Sequence, residues 1–277
     1  MSSGAARRSC LLGLLACAVL CLGLWAAPGA ALAAGDLGQP AAPASPTAIE
    51  IKHGRFEAGG KPVEDFYCVP LAAGAHPAVI LLHGAVPRGF GNAGFAEMCR
   101  KLAAAGYYAM FLEYYSQAGP ALPGAPPVTG RGFAAWVNGN FSTWMREIVS
   151  AMDALAQNPA VARDRIALMG FSLGAFLALA VGAAQGGRVA AIVEYYGAMN
   201  NSYRSMAANM PPTLILQGGA DTVVPPRYAR DLDALLTKYD RPHQMKIYPG
   251  AGHGLDPASR ADAWRTSLDF LRRYLGR

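Results

Sequence analysis

One stretch restricts the possible architectures more than any other. Ile166 to Met169 reads as a short apolar strand, Gly170-Phe171-Ser172-Leu173-Gly174 follows without a spacer, and Leu173 to Ala184 is nearly wholly apolar over a helical length. A strand that turns this sharply into a helix needs glycine on either side of the turn, because a Cβ there would meet neighbouring backbone. The turn leaves the central serine hydroxyl at the carboxyl edge of a sheet, over the positive end of the helix dipole. A helix that is apolar all round has to be covered on every side, so it belongs to the interior of a layered domain.

The rest of the chain repeats that alternation. Ile49 to Arg55 and Val63 to Val69, split by Gly59-Gly60, predict an opening hairpin. Ala78 to Leu82 is continuously apolar, as expected of a strand buried on both faces. Further strands are predicted at Tyr107 to Leu112, Val189 to Val193, Thr213 to Leu216 and Met245 to Tyr248. Helices are predicted at Phe95 to Ala105, Glu147 to Gln157 and Ala261 to Leu275. Strands alternating with helices, with no linker between them, predict one α/β domain over residues 49–277, a mostly parallel central sheet with helices on both faces. Ser116 to Asn140 breaks the rhythm: it is rich in Gly and Pro, carries Phe133 and Trp136, and follows a strand's carboxyl end. Ligands of open α/β sheets bind at that edge, so the segment reads as a pocket-lining loop with Phe133 and Trp136 as substrate contacts.

The N-terminus is a different kind of segment. Arg7-Arg8, an apolar run from Cys10 to about Ala27, and Ala31-Leu32-Ala33 have the form of a secretory signal covering residues 1–33. An uncleaved anchor and a lipid-modified Cys17 are the competing readings. Residues 34–48, rich in Ala, Pro and Gly, read as a flexible lead-in. The mature chain is thus expected outside the cytoplasm, periplasmic or secreted, with no membrane association after signal removal. Losing Arg7 and Arg8 takes the formal charge of +6 to +4, and no basic cluster interleaves with aromatics, so no nucleic-acid partner is expected. Cys68 and Cys99 remain. Export would permit a bridge, but the sequence does not bring their Cα atoms together, and two buried free thiols are the preferred reading.

A serine hydroxyl is a poor nucleophile at neutral pH and has to hand its proton to a base. On a strand-to-helix turn of this kind the partners follow downstream, acid before histidine. Of the two later histidines, His253 sits in the glycine-lined loop Tyr248-Pro249-Gly250-Ala251-Gly252-His253-Gly254, just past the last strand. His243 precedes that strand and reads as a surface residue. Asp221 ends Thr213-Leu214-Ile215-Leu216-Gln217-Gly218-Gly219-Ala220-Asp221, a buried strand opening into a loop. Its rivals Asp231, Asp233 and Asp240 fall in a predicted helix or the turn after it. Ser172, Asp221 and His253 therefore each follow a different strand in the required order, as nucleophile, orienting acid and general base. An oxyanion would be held by the backbone N–H of Leu173 and by a second donor after strand Ala78 to Leu82, where Ala85 is favoured over Gly84. His83 reads as packing its turn. No metal-ligand spacing and no dinucleotide fingerprint appears, and no cofactor is expected.

These residues resemble the dienelactone hydrolase family of the α/β-hydrolase superfamily. The likeness is carried by His83-Gly84, Asn158-Pro159-Ala160-Val161 to Arg165-Ile166, Gly170-Phe171-Ser172-Leu173-Gly174, Tyr195-Tyr196-Gly197, Gln217-Gly218 to Asp221 with Pro225, Gly252-His253-Gly254 and Ala263-Trp264. It implies a single-domain α/β-hydrolase fold and hydrolysis of a small-molecule ester. The family's founding enzymes carry a cysteine nucleophile and a nearby glutamate, where this chain has Ser172 and His83-Gly84. Those departures point away from dienelactone and toward a general serine esterase. The competing readings are a serine peptidase or amidase of the same fold, and a non-catalytic binding protein on a hydrolase scaffold.

Overall fold

The computed structural model describes residues 49–85, 92–115 and 130–276. Eight strands, β1 (Lys52–Ala58), β2 (Lys61–Cys68), β3 (His76–Leu82), β4 (Tyr108–Leu112), β5 (Val161–Phe171), β6 (Ala191–Tyr195), β7 (Thr213–Gly218) and β8 (His243–Tyr248), form one sheet in the order β1-β2-β4-β3-β5-β6-β7-β8. β2 runs antiparallel to both its neighbours, and every other pairing is parallel. Parallel neighbours require long crossovers. The helices are α1 (Asn92–Ala104), α2 (Gly130–Gln157), α3 (Leu173–Gln185), α4 (Arg227–Lys238) and α5 (Pro257–Leu275).

The continuous apolar runs have the two-faced use expected of buried strands. Ala78, Ile80 and Leu82 of β3 pack in the layer of α2, α3 and α4, while Val79 and Leu81 pack in the layer of α1 and α5. Ile166 and Leu168 of β5 divide from Ala167 and Met169 in the same way. With a side-chain period of two, one run of five apolar residues feeds two cores. The single α/β domain with its mostly parallel sheet is the architecture expected. The expected leader and lead-in, residues 1–48, lie outside the described residues. Among the described residues no helix is long and apolar enough to cross a membrane.

Three expectations are corrected. The opening hairpin is displaced toward its turn: β1 and β2 pair down to Ala58 and Lys61 around Gly59 and Gly60, whose φ angles are 60° and 74°. A two-residue loop with both φ positive closes a hairpin tightly, so the ladder runs up to the turn and leaves Ile49 to Ile51 outside it. The preferred reading of free thiols gives way to a Cys68–Cys99 disulfide, with Cα atoms 5.7 Å apart. It ties β2 to α1 across 31 residues, a loop whose closure is worth about 3–4 kcal/mol on the chain-entropy account.

The third correction concerns the loop expected over Ser116 to Asn140. Helix α2 already begins at Gly130, so Phe133 and Trp136 lie on a helix. Phe133 is buried, and Trp136 packs its ring against Tyr115 and Trp144 at 5.1 and 4.9 Å. Gly130, Gly132, Asn138, Gly139 and Asn140 are poor helix formers. The helix forms because Phe133, Val137, Phe141, Trp144, Ile148, Met152 and Leu155 recur every three or four residues and bury one face. The remainder of the expected loop, residues 116–129, lies outside the described residues.

The same helix carries a buried acid. Glu147 is 1% exposed and neither carboxyl oxygen has a hydrogen-bond partner. Burial pushes its pKa up to about 8, against the smaller downward pull of Arg146 and Lys61. The folded state therefore prefers the neutral acid. Its favourable contribution is complete below the unfolded value of about 4.3 and is lost as pH rises through about 8. Glu147→Gln cannot ionise, so its melting temperature relative to wild type should climb between about pH 5 and about pH 9. Paired thermal melts across that range measure this, and a gap that stays constant with pH would rule it out.

Candidate active site

The strand-to-helix turn is as sharp as the glycine spacing requires. β5 ends at Phe171 and α3 begins at Leu173, leaving Ser172 alone between them with φ 51° and ψ −118°. A non-glycine residue in such a conformation costs about 1–3 kcal/mol and persists only where its surroundings hold it. They do so here by close approach. A Cβ on Gly170 would lie 2.3 Å from the Gly174 carbonyl oxygen, and one on Gly174 would lie 2.3 Å from the Leu82 carbonyl oxygen. The Ser172 N–H donates to the Tyr195 carbonyl at 2.9 Å, tying the turn to the end of β6.

The other two residues arrive from the next loops along the sheet edge. Asp221 follows β7 and His253 follows β8, and the two loops are joined by Gly219 N–H to the Tyr248 carbonyl at 2.7 Å and Ala220 N–H to the Ala251 carbonyl at 2.9 Å. His253 bridges the set: Nε2 is 3.0 Å from Ser172 Oγ, and Nδ1 is 2.8 Å from Asp221 Oδ2. A carboxylate accepts only, so Nδ1 carries the proton and Nε2 is left to accept from the serine hydroxyl.

Asp221 is built to stay ionised. Its side chain is fully covered. Burial works against the charge, but the hydrogen bond and charge of His253 and the N–H groups of Val224 and Val223 outweigh it and hold the carboxyl below the usual range. Oδ1 accepts from Val223 and Val224 at 2.8 and 2.9 Å, and Oδ2 accepts from Gln217 Nε2 at 2.9 Å as well as from His253. Gln217 is itself fully buried and also donates to the Val224 carbonyl at 3.0 Å. In the sequence Gln217 stands out only as part of the family resemblance. The signal for its role was a polar side chain closing an otherwise apolar strand, four positions before the acid.

The rivals fall away by position. Asp231 and Asp233 lie on α4, and Asp240 lies in the turn after it. His243 is the first residue of β8 rather than a residue before it, and is paired with Asp233 at 3.2 Å. His83 packs its turn as expected. It stacks on Tyr114 at 4.0 Å, its Nδ1–H donates to the Gly84 carbonyl at 2.7 Å, and its own carbonyl accepts from the Tyr114 hydroxyl at 2.6 Å. Burial lowers its pKa to about 4, outweighing the Gly84 hydrogen bond, so the ring is uncharged at neutral pH.

Leu173, first residue of α3, has an N–H with no acceptor inside the helix. Gly84 lies against the serine turn, close enough that a Cβ on it would sit 3.3 Å from Ser172 Cβ. Ala85, next in the chain and half-buried, is the last described residue of that loop. Tyr196, with φ 45°, lays its ring against His253 at 4.7 Å between centroids. Among the described residues no three His, Cys, Asp or Glu gather as metal ligands would.

The model of the dienelactone hydrolase family matches residues 65–275. A Salmonella typhimurium protein carrying the name carboxymethylenebutenolidase is 27% identical over 268 residues, covering 86% of this chain and 95% of its own. A Bradyrhizobium protein carrying the name 2-oxo-3-(5-oxofuran-2-ylidene)propanoate lactonase is 25% identical over 230 residues, covering 74% of this chain and 87% of its own. In fold, the chain is similar to a dienelactone hydrolase-like promiscuous phosphotriesterase from metagenomic libraries. That match has a TM-score of 0.72 and 18% identity, over 83% of this chain and all of the other.

Proposed function

Since this chain belongs to the dienelactone hydrolase family and is a hydrolase, we propose that it cleaves small-molecule carboxylic esters through an acyl-enzyme on Ser172. The observation that carries the reading is His253 bridging Ser172 Oγ and Asp221 Oδ2 at hydrogen-bond distance on both sides. In the first half-reaction His253 Nε2 takes the hydroxyl proton as Ser172 Oγ attacks the carbonyl carbon. The imidazolium is steadied by Asp221 and returns the proton to the leaving alcohol. In the second, His253 takes a proton from the water that attacks the acyl-enzyme, then returns it to Ser172 Oγ as the acid is released and the free serine is restored. The negative oxygen of each tetrahedral intermediate is held by the Leu173 N–H and, in this reading, by the Ala85 N–H.

The Bradyrhizobium relative carries the name of a lactonase, and a lactone is a carboxylic ester whose alcohol stays attached to its acid. Cyclic and open esters therefore both fall within the proposed class. The chain is further proposed to work outside the cytoplasm. Support comes from the basic, apolar and small-residue pattern of residues 1–33 and from the Cys68–Cys99 bridge, a bond that persists in oxidising compartments.

The test is hydrolysis of p-nitrophenyl esters from acetate to long acyl chains, with an organofluorophosphonate as covalent probe. The expected result is turnover within the series, a maximum that sizes the acyl site, and one phosphonyl group added at Ser172. Absence of turnover on every ester, with the folded protein unlabelled, would turn the assignment toward a binding protein.

A further inference from the structure

Directly beneath the serine turn lies a carboxyl group that the proposed chemistry does not use. Glu194 on β6 is paired with Gly170 of β5, and its successor Tyr195 with Phe171. It is 0% exposed. Its Oε2 accepts from the Gly197 N–H at 2.7 Å, while Oε1 has no hydrogen-bond partner. A buried acid is costly to keep, and the contacts around this one indicate what it holds.

Between Glu194 and Gly197 lie the two residues that join β6 to the active site. The Tyr195 carbonyl accepts the Ser172 N–H at 2.9 Å. Tyr196 has a positive φ of 45°, its N–H donates to the Leu216 carbonyl at 2.8 Å, and its ring rests on His253 at 4.7 Å. Gly197 is pressed against α3, where a Cβ would sit 2.4 Å from Ala175 Cβ. The clamp from Glu194 to Gly197 thus closes a short arch with the nucleophile's backbone at one foot and a face of the catalytic base on its crown.

We propose that Glu194 is a positioning residue: by clamping Gly197 it holds the Tyr195 carbonyl and the Tyr196 ring where they set Ser172 and His253 in register. This rests on the esterase reading above. Burial pushes the Glu194 carboxyl up to about 8, outweighing the Gly197 hydrogen bond, so at neutral pH it is mostly the uncharged acid. Glutamine is then a close stand-in, with an oxygen that accepts from Gly197. Methionine keeps the length and removes the acceptor.

The experiment is kcat and KM on p-nitrophenyl acetate for wild type, E194Q, E194M and S172A, each with its thermal melt and its rate of labelling by the fluorophosphonate probe. A misplacement of the reacting groups by about 1 Å costs on the order of a hundredfold. E194M is accordingly expected to lose about 10- to 100-fold in kcat and in labelling rate with KM within about twofold, and E194Q to stay within about threefold of wild type. E194D, which keeps the acid but is one methylene too short to reach Gly197, should lose kcat as E194M does, and it carries the test if E194M does not fold. The proposal is overturned if the folded short or acceptor-free variant keeps wild-type kcat, if the loss appears in KM alone, or if E194Q is as impaired as E194M. An inactive wild type, or S172A as active as wild type, would instead remove the esterase reading itself. A dead S172A beside an unaffected E194M would remove only the role of Glu194.

Discussion

Ser172→Ala is expected to leave the protein folded and to lower kcat for ester hydrolysis by roughly a thousandfold or more. The backbone conformation at this position is imposed by Gly170, Gly174 and the bond to the Tyr195 carbonyl, none of which involves the hydroxyl. Alanine keeps the same Cβ in the same half-buried space, so the melting temperature should stay within about 2 °C of wild type. What disappears is the oxygen 3.0 Å from His253 Nε2, and with it the covalent route. The remaining rate would come from His253 activating water and from the oxyanion donors. Both act on an ester that no longer forms a bond to the protein. The comparison needs kcat from ester hydrolysis and a thermal melt on the same preparation. A loss smaller than about tenfold in a folded variant would mean that Ser172 is not the nucleophile.

The part of this site that was legible in the sequence is the part that local geometry dictates. A serine flanked by glycines between an apolar strand and an apolar helix has few conformations open to it, and the structure adopts the strained one. Asp221 and His253 were legible because each lies in the loop just past a strand's carboxyl end, so topology alone puts them on one edge. Positions set by tertiary packing were hidden. Gly130 to Asn140 has the composition of a loop, yet it is the first part of a helix because Phe133, Val137 and Phe141 continue the apolar face of Trp144 and Ile148. That periodicity was present in the sequence but outweighed by five poor helix formers. The Cys68–Cys99 bridge depends on β2 and α1 meeting across the sheet, which no spacing rule gives. Gln217 and Glu194 share the harder case. Each is a polar residue at the end of a buried strand, and only the loop that folds over it shows which backbone or side-chain group it serves.

Asp221→Asn should cost about 10⁴-fold in kcat, an effect out of proportion to the exchange of one oxygen for one NH₂. The reason lies in which way the new amide has to point. The N–H groups of Val223 and Val224 both donate to Oδ1, so the amide oxygen is drawn to that position and the NH₂ is left at the place of Oδ2. There it meets His253 Nδ1 and Gln217 Nε2, both of which donate to the wild-type carboxylate. Gln217 has a partial remedy: a flip of its amide turns Oε1, which is without a partner, to the new NH₂, at the cost of the bond that Nε2 makes to the Val224 carbonyl. His253 has one as well, by moving its proton from Nδ1 to Nε2. That tautomer satisfies the hydrogen bond to the asparagine and disables the base, because Nε2 then carries a proton toward Ser172 instead of accepting one. The variant should therefore fold, bind ester with KM close to wild type, and fail in the proton transfer alone. Steady-state kinetics at neutral pH, with the ring tautomer read from the imidazole ¹⁵N shifts, separates these outcomes. A kcat loss below about a hundredfold with Nδ1 still protonated would show that the carboxylate is not what orients the base.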